Sequence, residues 1–440
     1  MDILKLLLCA PAVALLLFTG FFLSFSSRWI QIRRLPEAFS QLFRDRGRDF
    51  SSISALCAIV GGNLGVGNLS GTAVALRAGG PGFIVWMVLI IIVTSIIKYA
   101  TCYISIMTRT TKGEKTFGGP VVFLRESFKS KWASIVSMVI TAICALTVGN
   151  MVQVNSLSIS MNIVGGTPLA AGALITLLLV MVNIMDTRGV SSLISKVVPL
   201  MTVSYFLLAS ITLTKFGKNI VPSLLLIYEN VFSVSSFKNG AILAFIAETL
   251  AVIQVGALRG IFATDIGLGL EGTVHSLVNS ELKQRDFALQ QSLISLVSPL
   301  IVAVVALMTT MVLLCTGVWG DMALESTNMC LTAFSNAIGG TYAKYALTLV
   351  LFCFSFTTIL TWLVCSKEAV SYVFGGNTFY EKCWVVLFTS VLPIGSICTV
   401  SFIWNVADLA VSVATIANTV GILLIFSKYR DMFDSTGEKR

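Results

Sequence analysis

Residues 61–71 read Gly-Gly-Asn-Leu-Gly-Val-Gly-Asn-Leu-Ser-Gly and lie within an apolar run from about Ile53 to Leu76. Five glycines and two asparagines in these eleven residues are poor helix formers, so a membrane helix is expected to be interrupted here. Backbone that leaves the helix inside a bilayer must line a polar space. One half-helix then ends in free carbonyls and the next begins with free N–H groups, which suits a cation and a carboxylate, respectively. Such a site would bind an amino acid together with an ion.

A second interpretation of the same stretch is close helix packing. Gly67 and Gly71 form a G-x-x-x-G pair, the spacing of small residues that lets two membrane helices approach each other. The stretch alone leaves both interpretations open.

The composition predicts an all-α polytopic membrane protein. Of the 440 residues, 56% are hydrophobic and only 12% are charged, and runs of about 20 apolar residues recur along the chain. The first run, Ile3 to Phe25, is longer than the apolar core of a signal peptide and has no small-residue cleavage pattern. It is therefore expected to be a helix of the protein.

The net charge of +9 is explained by loops rich in lysine and arginine and not by binding to nucleic acid. Six arginines fall between Arg28 and Arg48, and six more basic residues lie between Arg109 and Lys131. Both loops are expected to face the cytoplasm, with the N-terminus outside and the C-terminus inside. The ten cysteines show no C-x-x-C spacing and are interpreted as small buried side chains.

Eleven spans are predicted, as one N-terminal helix followed by two sets of five. The spans are expected near residues 4–25, 52–77, 82–107, 132–162, 169–186, 193–214, 240–275, 288–316, 342–373, 383–400 and 404–427. The corresponding organisation is an N-terminal helix with a basic linker (1–50), a first repeat (51–215), an extracytoplasmic loop (216–239), a second repeat (240–427) and a cytoplasmic tail (428–440).

A second glycine-rich interruption, Gly256 to Gly272, falls in the first helix of the second set. Consecutive sets of five helices enter the membrane from opposite sides, so the two halves are expected to form an inverted repeat. Paired interruptions in inverted halves are a strong sequence indication of a transport site at the membrane midplane. The G-x-G-x-x-G within the second interruption follows no strand, which argues against a dinucleotide site.

Three charged residues lie in or beside the second interruption, namely Arg259, Asp265 and Glu271. At membrane depth each costs roughly 2.5–3.5 kcal/mol unless it is paired or hydrated. They mark a cavity, a partner or a position nearer the surface. Arg259 is expected either to pair with Asp265 as a structural clamp or to contact the substrate.

Other polar residues have both structural and functional interpretations. Asn150 and Gln153 share a helix face, where hydrogen bonding between helices is the simpler role. The hydroxyls of Ser355, Thr357 and Thr358 either bond to their own helix or bind a hard cation. Trp362 is expected in the core more often than over a ligand, and a proton relay based on the single histidine, His275, is disfavoured.

At these residues the sequence resembles the alanine or glycine:cation symporter family, over nearly the whole chain. The resemblance is carried by Gly65-Val-Gly-Asn68, Gly79-Gly-Pro-Gly82, Lys98-Tyr-Ala100, Gly118-Gly-Pro120, Gly149-Asn-Met-Val-Gln153, Arg259-Gly-x-Phe262, Gly267-Leu-Gly269 and Trp404-Asn-x-Ala-Asp408. It implies the leucine-transporter fold, and a D-alanine/glycine permease type is the nearest match within the family.

The resemblance also implies a substrate site. The substrate carboxylate would meet the backbone at Val66 and Gly67 and the amide of Gln153, while its amine faces carbonyls of the second interruption. Phe262 and Trp362 would bound the small side chain.

A sodium site is implied in the same way. One sodium ion would take carbonyls near Gly61 and Leu64 together with hydroxyls among Ser355, Thr357 and Thr358. Asn68 and Thr264 would serve a second ion or the substrate.

The sequence departs from the family pattern at several positions. Val66 replaces the threonine of G-T-G-N, Asp265 replaces a glutamate, Thr101 replaces the acid of K-Y-A-E, and two extra residues precede Trp362. These departures affect substrate identity and ion stoichiometry.

The leading hypothesis is sodium-coupled symport of a small neutral amino acid (alanine, glycine or D-alanine) by alternating access in a bacterial cytoplasmic membrane. Proton-coupled or uncoupled amino-acid transport is the alternative. An intramembrane enzyme is disfavoured because the chain has neither H-E-x-x-H nor G-x-S-x-G. No nucleic-acid partner is expected.

Overall fold

A computed structural model describes residues 2–42, 52–113, 115–183, 187–232, 242–278 and 280–433. The predicted linker and tail are therefore described only in part, because residues 43–51 and 434–440 lie outside these ranges, and so do residues 233–239 of the predicted loop.

The described chain is almost entirely helical. Its α-helices are α1 (Asp2–Ser26), α2 (Ile30–Arg33), α3 (Leu35–Leu42), α4 (Ser52–Asn63), α5 (Ser70–Gly79), α6 (Phe83–Met107), α7 (Pro120–Ser127), α8 (Lys131–Leu146), α9 (Val152–Ile163), α10 (Pro168–Asn183), α11 (Thr187–Lys215), α12 (Ile220–Asn230), α13 (Ile242–Thr264), α14 (Leu270–Ser276), α15 (Gln284–Ser295), α16 (Val297–Cys315), α17 (Ser326–Ile338), α18 (Gly340–Val373), α19 (Thr378–Ile397) and α20 (Val400–Ile425). Short 3₁₀ segments cover Val66–Asn68, Gly217–Asn219, Val318–Gly320 and Phe426–Phe433, and a π-helical turn joins α8 to α9 at Thr147–Met151.

The only sheet in these ranges is a small hairpin in the basic loop after α6. Strands β1 (Thr110–Lys112) and β2 (Lys115–Phe117) are antiparallel, with Thr110 opposite Phe117.

Eight helices of the described residues are long and apolar enough to cross a membrane, or nine if the bent pair α4 and α5 forms one span. Pro168–Val182 is apolar but shorter. The polytopic α-helical class is thus confirmed, while the count of eleven spans stays a prediction.

Both predicted interruptions are present, but the second is shorter than the predicted Gly256 to Gly272, because α13 continues as regular helix to Thr264 and α14 begins at Leu270. The first separates α4 from α5, whose axes differ by 56°, and a 3₁₀ turn lies between them. The second separates α13 from α14 at residues 265–269, where Asp265, Gly267 and Gly269 have φ values of 54°, 85° and 86°. These left-handed conformations suit the two glycines and end α13 sharply.

The two interruptions lie against each other inside the bundle. A Cβ atom added to Gly67 would lie 2.8 Å from ring carbons of Phe262, so the backbone of the first interruption touches a side chain beside the second. Leu64, Val66 and Leu69 are completely buried there. The core of the protein therefore surrounds the two stretches of irregular backbone.

Candidate substrate and cation site

The first interruption is held by the side chain of Gln153. Its amide oxygen accepts a hydrogen bond of 3.0 Å from the backbone N–H of Val66, and its amide nitrogen donates to the carbonyl of Val148 at 3.0 Å. That carbonyl lies in the π-helical turn, where the wide winding disturbs the regular backbone ladder. Gln153 thus joins the N–H of Val66 to a carbonyl of the π-helical turn, which brings two of the predicted substrate-binding residues into contact.

Next to the Gln153 amide, two hydroxyl groups of α18 meet the carbonyl of Gly61. Thr358 donates to the carbonyl of Gly61 at 2.9 Å, and Thr357 lies 3.2 Å from the same oxygen. Gly65 is close by, since a Cβ atom there would lie 2.8 Å from the Thr358 hydroxyl. The hydroxyls and the carbonyl form a compact group of hard oxygen atoms, the ligand type that hard cations prefer.

Ser355 and Leu64, the two other predicted cation ligands, are placed differently. Ser355 donates to the carbonyl of Gln153 at 3.3 Å and does not join the group at Gly61. Two residues of α-helix turn the side chain by about 200°, so Ser355 and Thr357 face opposite sides of α18. Leu64 directly follows the end of α4, and its N–H still bonds to the carbonyl of Val60 at 2.6 Å.

The predicted aromatic residues lie in separate parts of the site. Phe262 packs on Gly67 and also on Trp404, with ring centroids 4.7 Å apart. Trp362 is buried against Gly149 in the π-helical turn, and its indole N–H has no hydrogen-bond partner among the described residues. Phe262 therefore borders the first interruption directly, whereas Trp362 borders the helix that carries Gln153.

Asn68 and Thr264 mainly bond to nearby backbone. Asn68 donates to the carbonyl of Asn63 at 2.7 Å across the first interruption, which leaves its amide oxygen unpaired within the described chain. Thr264 donates to the carbonyl of Gly260 at 2.6 Å, one turn earlier in α13. Asn68 therefore offers a free oxygen to a ligand, while the Thr264 hydroxyl hydrogen is already used. The simpler role of Asn150 holds, because it donates to the carbonyl of Phe388 in α19 at 2.6 Å.

The predicted pairing of Arg259 with Asp265 is wrong. Arg259 bonds instead to both carboxylate oxygens of Asp408 at 2.6 Å each, and its guanidinium lies 4.7 Å from the centre of the Trp404 ring. Asp408 is in α20 and 149 residues away, so spacing within the interruption could not reveal it. A signal was present, since Asp408 is the only charged residue of an otherwise apolar helix.

The Arg259–Asp408 pair lies at the inner end of a cavity of about 470 Å³. Residues that line this vestibule include Arg77, Gln254, Arg259, Glu325, Trp404 and Asp408. The vestibule is lined by the last turns of α5 and by α13, and α6 begins just after α5. The basic loop follows the other end of α6, so the vestibule and this loop lie at opposite ends of the bundle. Trp404 lines the vestibule and contacts Phe262 at an interplanar angle of 40°, and Phe262 in turn packs on Gly67 of the first interruption.

Sequence reasoning also missed Lys98 as part of the core. This lysine lies in the middle of α6, is completely buried, and donates to the hydroxyl of Ser298 at 3.1 Å. It interacts electrostatically with Glu271 and Asp265. The available signal was one lysine within a helix of 25 otherwise uncharged residues.

Comparison with known proteins gives consistent results. Residues 2–436 match the model of the family described as the sodium:alanine symporter family. The sodium/alanine symporter AgcS of Methanococcus maripaludis is 27% identical over 428 residues, covering 94% of this chain and 91% of that protein. A putative sodium/proton-dependent alanine carrier protein, YrbD of Bacillus subtilis, is 24% identical over 437 residues, covering 94% of this chain and 87% of that protein.

Among solved structures, the chain is similar to MhsT, crystallised in complex with L-phenylalanine. The TM-score is 0.56 at 16% sequence identity, and the match covers 89% of this chain and 93% of MhsT. At this identity the similarity establishes the fold, which is that of the leucine transporter.

Proposed function

We propose, from the premise that this chain belongs to the sodium:alanine symporter family, that it couples inward movement of sodium to uptake of a small neutral amino acid. Family membership makes the chain a multi-pass membrane transporter and not an enzyme. The substrate, the coupling ion and the orientation are our proposals.

The observation that carries the proposal is the hydrogen bond of 2.9 Å from the hydroxyl of Thr358 to the carbonyl oxygen of Gly61. A sodium ion bound to this carbonyl, to the carbonyl of Leu64 and to the hydroxyls of Thr357 and Thr358 would bring together the first interruption and α18. Closing a gap between two helices is the step that an ion must drive in alternating access. We therefore assign the ion to Gly61, Leu64, Thr357 and Thr358, and we leave Ser355 out.

The substrate site is proposed beside the ion site, at the start of the second half of the first interruption. The N–H groups of Val66 and Gly67 are suited to a carboxylate, which would replace the amide oxygen of Gln153 as the acceptor for Val66. The amide nitrogen of Gln153 has a second N–H to donate to the same carboxylate. Phe262 limits the space above Gly67 and Trp362 lies beyond Gln153, so a small side chain is favoured. Asn68 remains available to either ligand through its unpaired oxygen, whereas Thr264 is left out because its hydroxyl bonds to Gly260.

Arg259 is proposed as a gating residue. Its pair with Asp408 and the adjacent Phe262 and Trp404 rings would have to separate for a substrate to pass from the vestibule to Gly67. Asp265 belongs with Lys98 and Glu271 instead. The bias of basic residues supports a vestibule on the outside and a C-terminus in the cytoplasm of a bacterial cell.

The test is uptake of labelled glycine, L-alanine and D-alanine into liposomes that contain the purified protein. Uptake is measured with an inward sodium gradient, with a proton gradient and with neither. Sodium-dependent uptake of at least one substrate is expected. Uptake driven by protons alone would contradict sodium coupling and favour the alternative suggested by the name of the Bacillus subtilis relative.

A matched pair of variants tests the ion site. Thr358→Val keeps the shape of the side chain and removes the hydroxyl that meets Gly61. Thr361→Val makes the same change one turn later, where the hydroxyl bonds to Ala58 at 3.1 Å. The sodium concentration for half-maximal uptake should rise about tenfold or more in Thr358→Val and less than about twofold in Thr361→Val, because a lost ligand is worth about 1.4 kcal/mol or more. Equal effects of the two variants would contradict the assignment.

A further inference from the structure

Lys98 is a cation fixed in the interior of the protein beside both interruptions. It is completely buried, and its ammonium donates to the hydroxyl of Ser298 at 3.1 Å. The same hydroxyl receives a bond of 3.3 Å from the side-chain amide of Asn63, the last residue of α4. Lys98 is therefore connected through Ser298 to the first interruption.

Two carboxylates of the second interruption complete this cluster. Asp265 lies in the interruption itself and Glu271 lies in the first turn of α14, and they are 1% and 0% exposed, respectively. Each interacts electrostatically with Lys98, and the two interact with each other. One side-chain oxygen of Asp265 lacks a hydrogen-bond partner within the described chain, and the carboxyl group of Glu271 lies against the hydroxyl of Thr101, one turn after Lys98 on α6.

The charges of the cluster do not balance. One ammonium and two carboxylates carry a net charge of −1 when all are ionised, and this charge would lie out of contact with water. A buried net charge is costly in a medium of low dielectric constant, and an unpaired carboxylate oxygen adds to the cost. One additional positive charge would remove both problems.

We propose that Lys98, Asp265 and Glu271 form a proton site, in which the two carboxylates together bind one exchangeable proton. The proton forms an O–H bond with a carboxylate oxygen, and the cluster becomes neutral. A second metal cation would be repelled by the adjacent ammonium, whereas a proton needs no coordination shell. Because the two acids interact, the proton belongs to the pair and not to either residue.

The site is placed where its charge can affect transport. Asp265 has a φ of 54° at the end of α13, and Lys98 reaches Asn63 at the end of α4 through Ser298. Movement of either half-helix would change the distances among the three charges and so the affinity for the proton. The proton would be exchanged with water when the interruption opens, which makes sodium-driven uptake sensitive to pH.

Other titratable groups face the cluster from several helices. They are His275 on α14, Cys102 on α6, Cys144 on α8 and Cys365 on α18. His275 is bonded through one ring nitrogen to Gln291 at 2.7 Å, and Gln291 bonds onward to Ser52. Asp265 and Glu271 are the carboxylates of this set. Asp408 on α20 is also buried and Glu368 on α18 is partly shielded from water, so variants of Asp265 and Glu271 are needed to assign a protonated-carboxyl signal to the cluster.

The direct test is infrared difference spectroscopy of the purified full-length protein between about pH 6 and pH 9, above the range in which exposed carboxylates titrate. The C=O stretch of a protonated carboxyl group should appear on the acid side in the wild type. The band should be lost in Glu271→Gln and in Asp265→Asn, because the negative charge of the one remaining carboxylate is then balanced by the positive charge of Lys98. Lys98→Met should increase the band about twofold, since two acids without a base bind two protons. Glu229→Gln, an exposed acid on α12, is the control and should keep the wild-type band.

Three results would overturn the proposal. A band that does not change with pH would show that the proton is not exchangeable. A band kept in both Glu271→Gln and Asp265→Asn would place the proton elsewhere, and a band unchanged in Lys98→Met would remove the lysine from the site. A single symmetric peak in size-exclusion chromatography shows that each variant is folded. Glu271→Gln and Asp265→Asn test the location of the proton independently of each other.

The effect on transport rests on the proposed function and is measured separately. Sodium-driven uptake by the wild type should vary about tenfold over two pH units, and uptake by Glu271→Gln less than about twofold. A flat wild-type profile would contradict the link between proton binding and transport. Absence of sodium-driven uptake in the wild type would instead refute the proposed function, while the infrared result would still decide whether the proton site exists.

Discussion

Arg259 of α13 and Asp408 of α20 form a buried ion pair in which one guanidinium nitrogen lies 2.6 Å from both carboxylate oxygens. The side chains are 9% and 6% exposed, respectively. This pair connects the half-helix before the second interruption to the last helix of the bundle. Both residues line the vestibule, where we propose that they act as a gate.

Asp408→Asn should destabilise the protein strongly. Removing one partner of a buried ion pair leaves an uncompensated charge and typically costs 3–5 kcal/mol. The melting temperature in detergent is the measurement, and uptake should fall in parallel. The double variant Arg259→Met with Asp408→Leu should regain most of the stability without regaining uptake. Recovery of wild-type uptake in this apolar variant would contradict a gating role for the ion pair.

Gly67→Ala should abolish most uptake, because its Cβ would lie 2.8 Å from two ring carbons of Phe262. The clash pushes the 3₁₀ turn and the Phe262 ring apart, and both belong to the proposed substrate site. Phe262→Leu in the same chain should restore part of the uptake by giving the methyl group room. If the double variant is no better than Gly67→Ala, the defect does not arise from this contact. Gly217→Ala in the exposed turn before α12, where the added Cβ has no neighbour within 4 Å, controls for glycine replacement in general.

Gln153→Glu should raise the KM of the amino acid about tenfold or more. The new carboxylate can still accept from Val66, but it cannot donate to Val148 and it repels the substrate carboxylate. A tenfold change corresponds to about 1.4 kcal/mol. Asn155→Asp is the matched control on the same helix, because Asn155 bonds only to carbonyls of Gly395 and Cys398. A similar rise of the KM in both variants would indicate a general weakening of α9.

Val66→Thr tests the most evident departure from the family pattern. Val66 is completely buried, and threonine has nearly the same shape, so the fold should be retained. The added hydroxyl lies beside the backbone that is proposed to bind the carboxylate and should change the KM or the sodium dependence by at least about threefold. Unchanged values of both would show that this side chain does not shape the site.

The two interruptions could be predicted from the sequence because glycine and asparagine act locally on the backbone. That Val66 lies near Gln153 and Gly61 near Thr358 could not be read from spacing, and the family resemblance only assigned each set of residues to a common site. Ser355 shows the limit of this approach. Its hydroxyl has the right chemistry, but its position on the circumference of α18 directs it to Gln153.

Contacts between distant parts of the chain were not predictable. The partner of Arg259 is 149 residues away, and Lys98 reaches Ser298 over 200 residues. Helices α12 and α17 were also missed. Helix α17 begins with the polar residues Ser-Thr-Asn at 326–328. The helix as a whole is short and contains too many polar residues to be recognised by hydropathy. Pairing of polar groups in three dimensions is decided by the whole packing arrangement and leaves little trace in local composition.

The π-helical turn at Thr147–Met151 contains, in effect, one residue more than a regular helix needs. Deleting a single residue there would let α8 and α9 join as one continuous helix, and nothing in the length of the span would oppose this. The residues after the deletion would keep nearly their present direction, because the wide turn already spends one extra residue on the same rotation. Gln153 would still face Val66, but the regular ladder of backbone hydrogen bonds would use the carbonyl of Val148, to which its amide nitrogen now donates. The hydrogen bonds of Gln153 therefore depend on a surplus of chain length as well as on its own side chain.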